Sequence, residues 1–199
     1  MEKALTKLEI IFKNAASNEQ IPPELTAAKG NRQLLTLTPA QIKDLGVGKY
    51  DVEAVQIDSA GNRSDVAKTA LDIQLPAAPT LRYATGVSAT EAASRQEMIS
   101  GAVTVQGEAT LSIVVTFENT VTGGKVTKTI SPSPASGNPQ SVPLAPAEVA
   151  TLGDGPITVT AVQTDAVGQK SQPATLTFTL DTTAPAVLIT SVNDDVPPV

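Results

Sequence analysis

A stretch of this chain occurs twice, and that repeat restricts the fold more than any other feature. Asp58-Ser59-Ala60-Gly61-Asn62 and Asp165-Ala166-Val167-Gly168-Gln169 lie 107 residues apart. Held at that offset without a gap, residues 30–74 lie over 137–181 with 17 of 45 positions identical, Leu45, Gly46, Gly48, Val52, Ala54, Gln56 and Ser64 among them. Solenoid repeats have periods of about 20–50 residues. A period near a hundred therefore reads as tandem domains, and the 199-residue chain as two of them.

The flanks of the repeated stretch alternate. Tyr50, Val52 and Ala54 precede it in the first copy, and Ala67, Thr69, Leu71 and Ile73 follow it. That period of two marks half-buried strands on either side of a turn. Leu111, Ile113, Val115 and Phe117 form another such run; laying Phe12 on Phe117 puts Leu8 on Ile113 and Ile10 on Val115, so residues 5–12 read as a strand although 2–14 also fit a short helix. Thr122-Gly123-Gly124-Lys125 reads as a hairpin turn into a strand at Val126–Ile130, since paired glycines supply positive φ. Pro22-Pro23 argues for an irregular or edge segment, and Ser131–Pro134 with Gly137-Asn138-Pro139 for loops.

Each copy then predicts a brief strand (Leu35 and Leu37; Val142 and Leu144) and a short helix before the final hairpin. In the first copy Thr38 caps, Pro39 opens the helix where its missing N–H costs nothing, Ile42 and Leu45 face inward, and Gly46 ends it. Pro146, Val149, Leu152 and Gly153 repeat the scheme. Residues 79–108 have no counterpart in the first copy; they predict strands at Leu81–Tyr83 and Ile99–Val105 around a polar run, Glu91–Gln96. The division that follows is a partial module over 1–75 lacking its opening strands, a complete module over 76–181, and a linker with the opening strand of a further module over 182–199, that strand at Val187–Ile189.

Composition removes most site chemistry. The chain has no Cys and no His, which excludes disulfides, thiolate zinc sites, a Cys nucleophile and a histidine base. A net charge of −6 argues against nucleic acid, whose binding needs a basic face, and favours cations. With three Phe, two Tyr and no Trp, the cores must be built of Val, Ile, Leu and Ala. The start, Met1-Glu2-Lys3-Ala4-Leu5, lacks a secretory signal pattern, and no apolar run approaches the roughly 20 residues of a membrane span.

Leu-Gly-x-Gly before an alternating strand, then Asp-x-Ala-Gly-Asn-x-Ser, a closing strand and Asp181-Thr182-Thr183-Ala184-Pro185 resemble the bacterial immunoglobulin-like repeats of large surface adhesins and biofilm-associated proteins. The resemblance covers nearly the whole chain. It implies an all-β fold of tandem immunoglobulin-like antiparallel β-sandwiches, seven-stranded when complete, serving as non-catalytic extenders that project a ligand-binding tip from the cell surface. It further implies export by type I secretion, neighbouring modules of the same chain as partners, and a host or surface ligand bound elsewhere in the parent protein.

The same resemblance implies Ca2+ at module junctions, held by the Asp of the final hairpin and the Asp of the linker. Carried over by position, the candidate ligands are Asp58 and Asn62 in the first module, Asp165 in the second, and Asp181 in the linker after it. The chain departs from that pattern at two points: Gln74 stands where the second copy has Asp181, and Gln169 stands where the first has Asn62. A site at the one internal junction therefore centres on Asp165, with Asp72 as a helper.

A second reading of these Asp residues is purely structural, since Asp bonds its own turn backbone while Gly takes the left-handed conformation. Asp194-Asp195 read as solvated or as ligands of a further module. The carboxylate pairs Asp51 with Glu53 and Glu91 with Glu97 fall on an outward strand face and a polar loop, so no acid-base catalysis is expected. Two alternatives to a spacer remain: a split module flanking an inserted ligand-binding domain, and strand exchange with another copy through the sheet edge of the incomplete module.

Overall fold

The computed structural model describes residues 5–17, 20–21, 35–130, 138–188 and 190. Pro22-Pro23 and Ser131–Pro134 lie outside them. The first half of the chain carries β1 (Leu5–Asn14), β2 (Gln20–Ile21), α1 (Pro39–Leu45), β3 (Gly48–Asp58) and β4 (Ala67–Ile73). Its strands form one antiparallel sheet in the order β2-β1-β3-β4. The alternation in β1 decides its faces: Leu8, Ile10 and Phe12 turn inward with Tyr50, Val52 and Ile73. Lys13 bonds Glu53 at 2.6 Å and Arg63 bonds Glu9 at 2.6 Å on the opposite face. Residues 5–12 are thus strand, and the helical alternative is set aside.

The helix α1 forms as its residues dictate. Thr38 Oγ1 accepts from the Gln41 amide and the Gln41 side chain accepts from the Thr38 amide, a reciprocal cap. Leu45 is buried under it, Ile42 packs beside it, and Gly46 ends it at φ +74°.

The second half adds β5 (Thr80–Tyr83), β6 (Ala92–Ala93), α2 (Arg95–Ser100), β7 (Val103–Gln106), β8 (Ser112–Asn119), β9 (Lys125–Ile130), β10 (Gln140–Ser141), α3 (Pro146–Leu152), β11 (Gly155–Thr164) and β12 (Ala174–Leu180). Two sheets face each other, β10-β7-β5 and β6-β12-β11-β8-β9. Val103 and Val105 from the small sheet meet Ile113, Val115, Phe117, Val159, Ala161, Phe178 and Leu180 from the large one, all buried. Each side chain of this size removed from water contributes about 1.5–3 kcal/mol. No aromatic larger than Phe is needed, and the all-β sandwich expected from the alternation is what forms. Val149 and Leu152 seat α3 on the same core.

The structure corrects four expectations. Ile99 and Ser100 belong to α2, not to a strand, and the polar run Glu91–Gln96 is not a loop throughout: it holds β6 and the start of the helix. The reason is a capping box. Ser94 and Glu97 satisfy each other's backbone N–H, at 3.3 and 2.7 Å, and Gly101 at φ +97° stops the helix. The pairing is not wholly antiparallel either, because β6 runs parallel to β12 and covers its outer edge.

The brief strands before the helices also differ. Leu35 and Leu37 lie in irregular chain, and the second-copy strand sits at Gln140–Ser141, ahead of Val142 and Leu144. Pro143 has no N–H to continue a ladder. Both flanking residues are nonetheless buried, and their amides donate to Val103 and Met98. Val187 and Leu188 lie outside any sheet, 88% and 82% exposed; Ile189 is outside the described residues.

Candidate functional sites at the module ends

The repeated hairpin is the same in both modules, bond for bond. Asp58 Oδ1 accepts from the Ala60 and Asn62 amides at 2.8 and 2.9 Å. Asp165 Oδ1 accepts from the Val167 and Gln169 amides at 2.9 and 2.8 Å. In each copy the Asp amide donates to residue i+4 and the Gly amide returns to the Asp carbonyl. Ser64 and Ser171 then take the amides of Gln56 and Gln163 on their hydroxyls. Gly61 and Gly168 sit at φ +85° and +87°, where a side chain would be strained. Asp58 Oδ2 also accepts from the Asn62 amide nitrogen at 2.9 Å.

One strand before this turn, Gln163 anchors the incoming chain of the second module. It is fully buried. Its Oε1 accepts from the Glu108 amide at 3.0 Å and its Nε2 donates to the Ala77 carbonyl. Glu108 Oε1 closes the ring by accepting from the Ala77 amide at 2.8 Å. Gly107 lets the chain cross here: a Cβ would stand 2.4 Å from Gln163 Oε1 and 2.7 Å from Ile113 Cδ1. Upstream, Gln74 Nε2 donates to Asp72 Oδ2 at 2.8 Å.

The opposite end holds the outgoing chain. Asp154 Oδ1 accepts from the Thr182 amide and hydroxyl at 2.8 and 2.6 Å, and Oδ2 accepts from the Thr183 hydroxyl at 2.8 Å. These donors, the Thr182 side chain foremost, hold the Asp154 carboxyl below the usual carboxylate range. Asp181 Oδ1 accepts from the Thr183 amide at 2.9 Å. Asp154 is itself presented by Asn119, a fully buried amide. Asn119 Nδ2 donates to the carbonyls of Leu152, Gly153 and Asp154 at 3.1, 3.0 and 3.1 Å. Its Oδ1 accepts from Val121 and Thr122 at 2.9 and 3.0 Å. Tyr50 takes the carbonyl part of this task in the first module, its hydroxyl donating to Leu45 and Gly46.

The expected ligands are therefore divided between ends. Gly155 pairs with Leu180, so Asp181 lies at the start of β11 while Asp165 follows its finish. Ten strand residues separate them, about 30 Å at the usual rise. Among the described residues no three His, Cys, Asp or Glu side chains gather where they could hold a metal ion. One orphan does sit beside the hairpin: Gln169 Oε1 is buried with no hydrogen-bond partner. Asp165 and Gln169 alone fall short of the six to eight oxygens calcium takes. Their fit to it is partial, with carbonyls and water left to supply the rest.

Sequence reasoning missed Asn119, Gln163 and Asp154. A signal existed for the last. Asp154 fills the variable place of Leu-Gly-x-Gly, where the first module has Val47; Thr182 and Thr183 fall where it has Leu75 and Pro76. A polar set in one module replaces an apolar set in the other.

No family model and no curated protein sequence matches this chain. Solved structures similar to it include a tetra-tandem repeat in the extending region of a large adhesion protein, at 19% identity and TM-score 0.41, covering 92% of this chain and 43% of that one. Another is a structure described for host cell surface retention of a 1.5-MDa bacterial ice-binding adhesin, at 18% identity and TM-score 0.37, with 92% and 55% covered. A third is a set of fibronectin(III)-like modules of Clostridium thermocellum CbhA, at 14% identity and TM-score 0.31, with 92% and 83% covered. The chain spans about half or less of the first two.

Proposed function

We propose that this chain is a non-catalytic extender segment of a bacterial cell-surface adhesin, its sandwiches set in series to carry a ligand-binding region away from the surface in adhesion or biofilm formation. One observation carries the reading. The second module grips its incoming chain at Gln163 and its outgoing chain at Asp154, at opposite ends of β11. A module gripped in this way adds its own length to a series, whereas one that received and released the chain at the same end would fold a series back on itself. Buried or multiply bonded linker residues also resist bending, since swinging the linker would break several hydrogen bonds at once.

Calcium belongs to the same proposal as a stiffener of the module ends, with Asp58 and Asn62 at the hairpin end of the first module, Asp165 aided by Gln169 at that of the second, and Asp181 at the outgoing end. Small-angle scattering at low concentration tests both parts. The expected maximum dimension is that of modules laid end to end, and millimolar calcium should sharpen the profile relative to chelator. A compact particle in both conditions would refute the extender reading, and an extended one indifferent to calcium would remove the metal while leaving the extender.

A further inference from the structure

The two modules share one sheet design but differ in what covers it. In β8 and β11, Ile113 pairs with Gln163 on the inward face and both are fully buried, beneath the incoming linker and Gly107. The equivalent pair in β1 and β3 is Leu8 with Gln56. Leu8 is only partly buried and Gln56 is exposed. Gln56 still has the backbone setting of Gln163, its amide on Ser64 Oγ at 3.0 Å as that of Gln163 is on Ser171 Oγ at 3.1 Å. Among the described residues, its side chain makes no hydrogen bond and no second sheet lies over β3 and β4. In the second module β5 packs over β12, with the Tyr83 hydroxyl donating to the Thr177 carbonyl at 2.7 Å. Nothing described stands in that place over β4.

The chain also carries a segment of the matching kind. Ala78-Pro79 in the linker that feeds β5 and Ala184-Pro185 after β12 lie 106 residues apart. That register lays Thr183 on Ala77, Val187 on Leu81 and Ile189 on Tyr83. Leu81 and Tyr83 are the core-facing residues of β5, whereas Val187 is 88% exposed. The Asp154 clamp on Thr182 and Thr183 uses their side chains and the Thr182 amide, so the Thr183 carbonyl is left to accept.

We propose that the open notch at Leu8 and Gln56 is a docking site for residues 182–190 of a second copy, which occupy it as residues 76–83 occupy the second module. Gln56 Nε2 donates to the incoming Thr183 carbonyl, as Gln163 Nε2 does to Ala77. Val187 covers the inward face of β4 and the exposed end of Leu8. The contact is heterologous, one copy's tail against the next copy's head, so it propagates instead of closing at a dimer. The inference is independent of the extender reading, which concerns the shape of the single chain.

Sedimentation velocity on the full chain, from about 10 µM to about 1 mM to reach weak contacts, tests it. The weight-average mass should climb past that of a dimer without a plateau. Val187→Asp spoils the tail and Gln56→Ala the head, both at exposed positions outside the cores. Each variant alone should associate at least about tenfold more weakly. Mixed, the intact head of the first and the intact tail of the second should give a species that stops at two chains. A chain monomeric throughout, variants that associate like the parent, or a mixture no larger than its components would each overturn the proposal. Scattering at the low end of the series reads the shape separately, so failure of this contact and failure of the extender reading are distinguishable.

Discussion

Replacing Asn119 by Ala removes five hydrogen bonds from one fully buried amide. Three carbonyls at Leu152, Gly153 and Asp154 lose a donor, and the Val121 and Thr122 amides lose an acceptor. A net hydrogen bond is worth about 1 kcal/mol, and groups stranded away from water cost more. Water regains some of these groups because the turn is only partly buried. The expected loss is about 3–5 kcal/mol, a large share of the roughly 5–15 kcal/mol that stabilises a domain. Asn119→Asp keeps the acceptor but sets a carboxylate oxygen against three carbonyls, so it should cost at least as much. Asn14, the counterpart in the first module, accepts from the Ala16 and Ser17 amides in an exposed turn, while Tyr50 serves the helix carbonyls. Asn14→Ala should therefore cost only about 1–2 kcal/mol. Native-state hydrogen exchange reads each module separately. A loss under about 1 kcal/mol for Asn119→Ala, or an equal loss at Asn14, would refute the assignment of the load to this amide.

Three further outcomes follow from named contacts. Gly123→Ala meets open space at φ +75° and should cost about 1 kcal/mol, whereas Gly124→Ala drives a Cβ to 2.3 Å from the Thr151 carbonyl and should cost about 3 kcal/mol; paired denaturant melts would show the difference. Asp154→Ala should speed exchange of the Thr182 amide by about tenfold or more while leaving the core amides of β11 unchanged, as expected of a local opening. Lowering the pH should loosen the same clamp: the folded Asp154 carboxyl is held low, so its contribution is complete above the unfolded value and is lost as pH falls below about 4, readable as the pH dependence of that exchange. Glu148, held low chiefly by Lys128 and then by the Ala145 amide, titrates with the same sign, and Lys128→Met should lower stability at neutral pH by less than about 1 kcal/mol and make it less sensitive to acid.

Patterns that a few neighbouring residues enforce were readable from the amino acids alone. The 107-residue repeat, the alternation of β1, β3, β8 and β11, the hairpin at Gly123-Gly124 and the Thr38-Pro39 helix start all rest on contacts within about four residues or on a strict period of two. The helix at Ser94–Ser100 was equally local, since Ser94 and Glu97 form the box, but Ile99 sits just ahead of a true strand and the apolar run was read as continuous. Asp58 and Asp165 were identified correctly as positions while their bonding was left open between a turn and a metal. Their Oδ1 atoms prove to serve the turn amides.

What the amino acids could not disclose was decided by residues far apart in the chain. Gln163 meets Ala77 across 86 residues and Asp154 meets Thr182 across 28. Such pairs exist only once the sandwich has brought both ends of β11 against the linkers, because a lone Gln or Asp in a sequence is compatible with any partner that folding delivers. The contrast between buried Gln163 and exposed Gln56, identical residues in identical turns, shows the same physics. Local chemistry repeats with the sequence, while burial depends on what the rest of the chain lays over it.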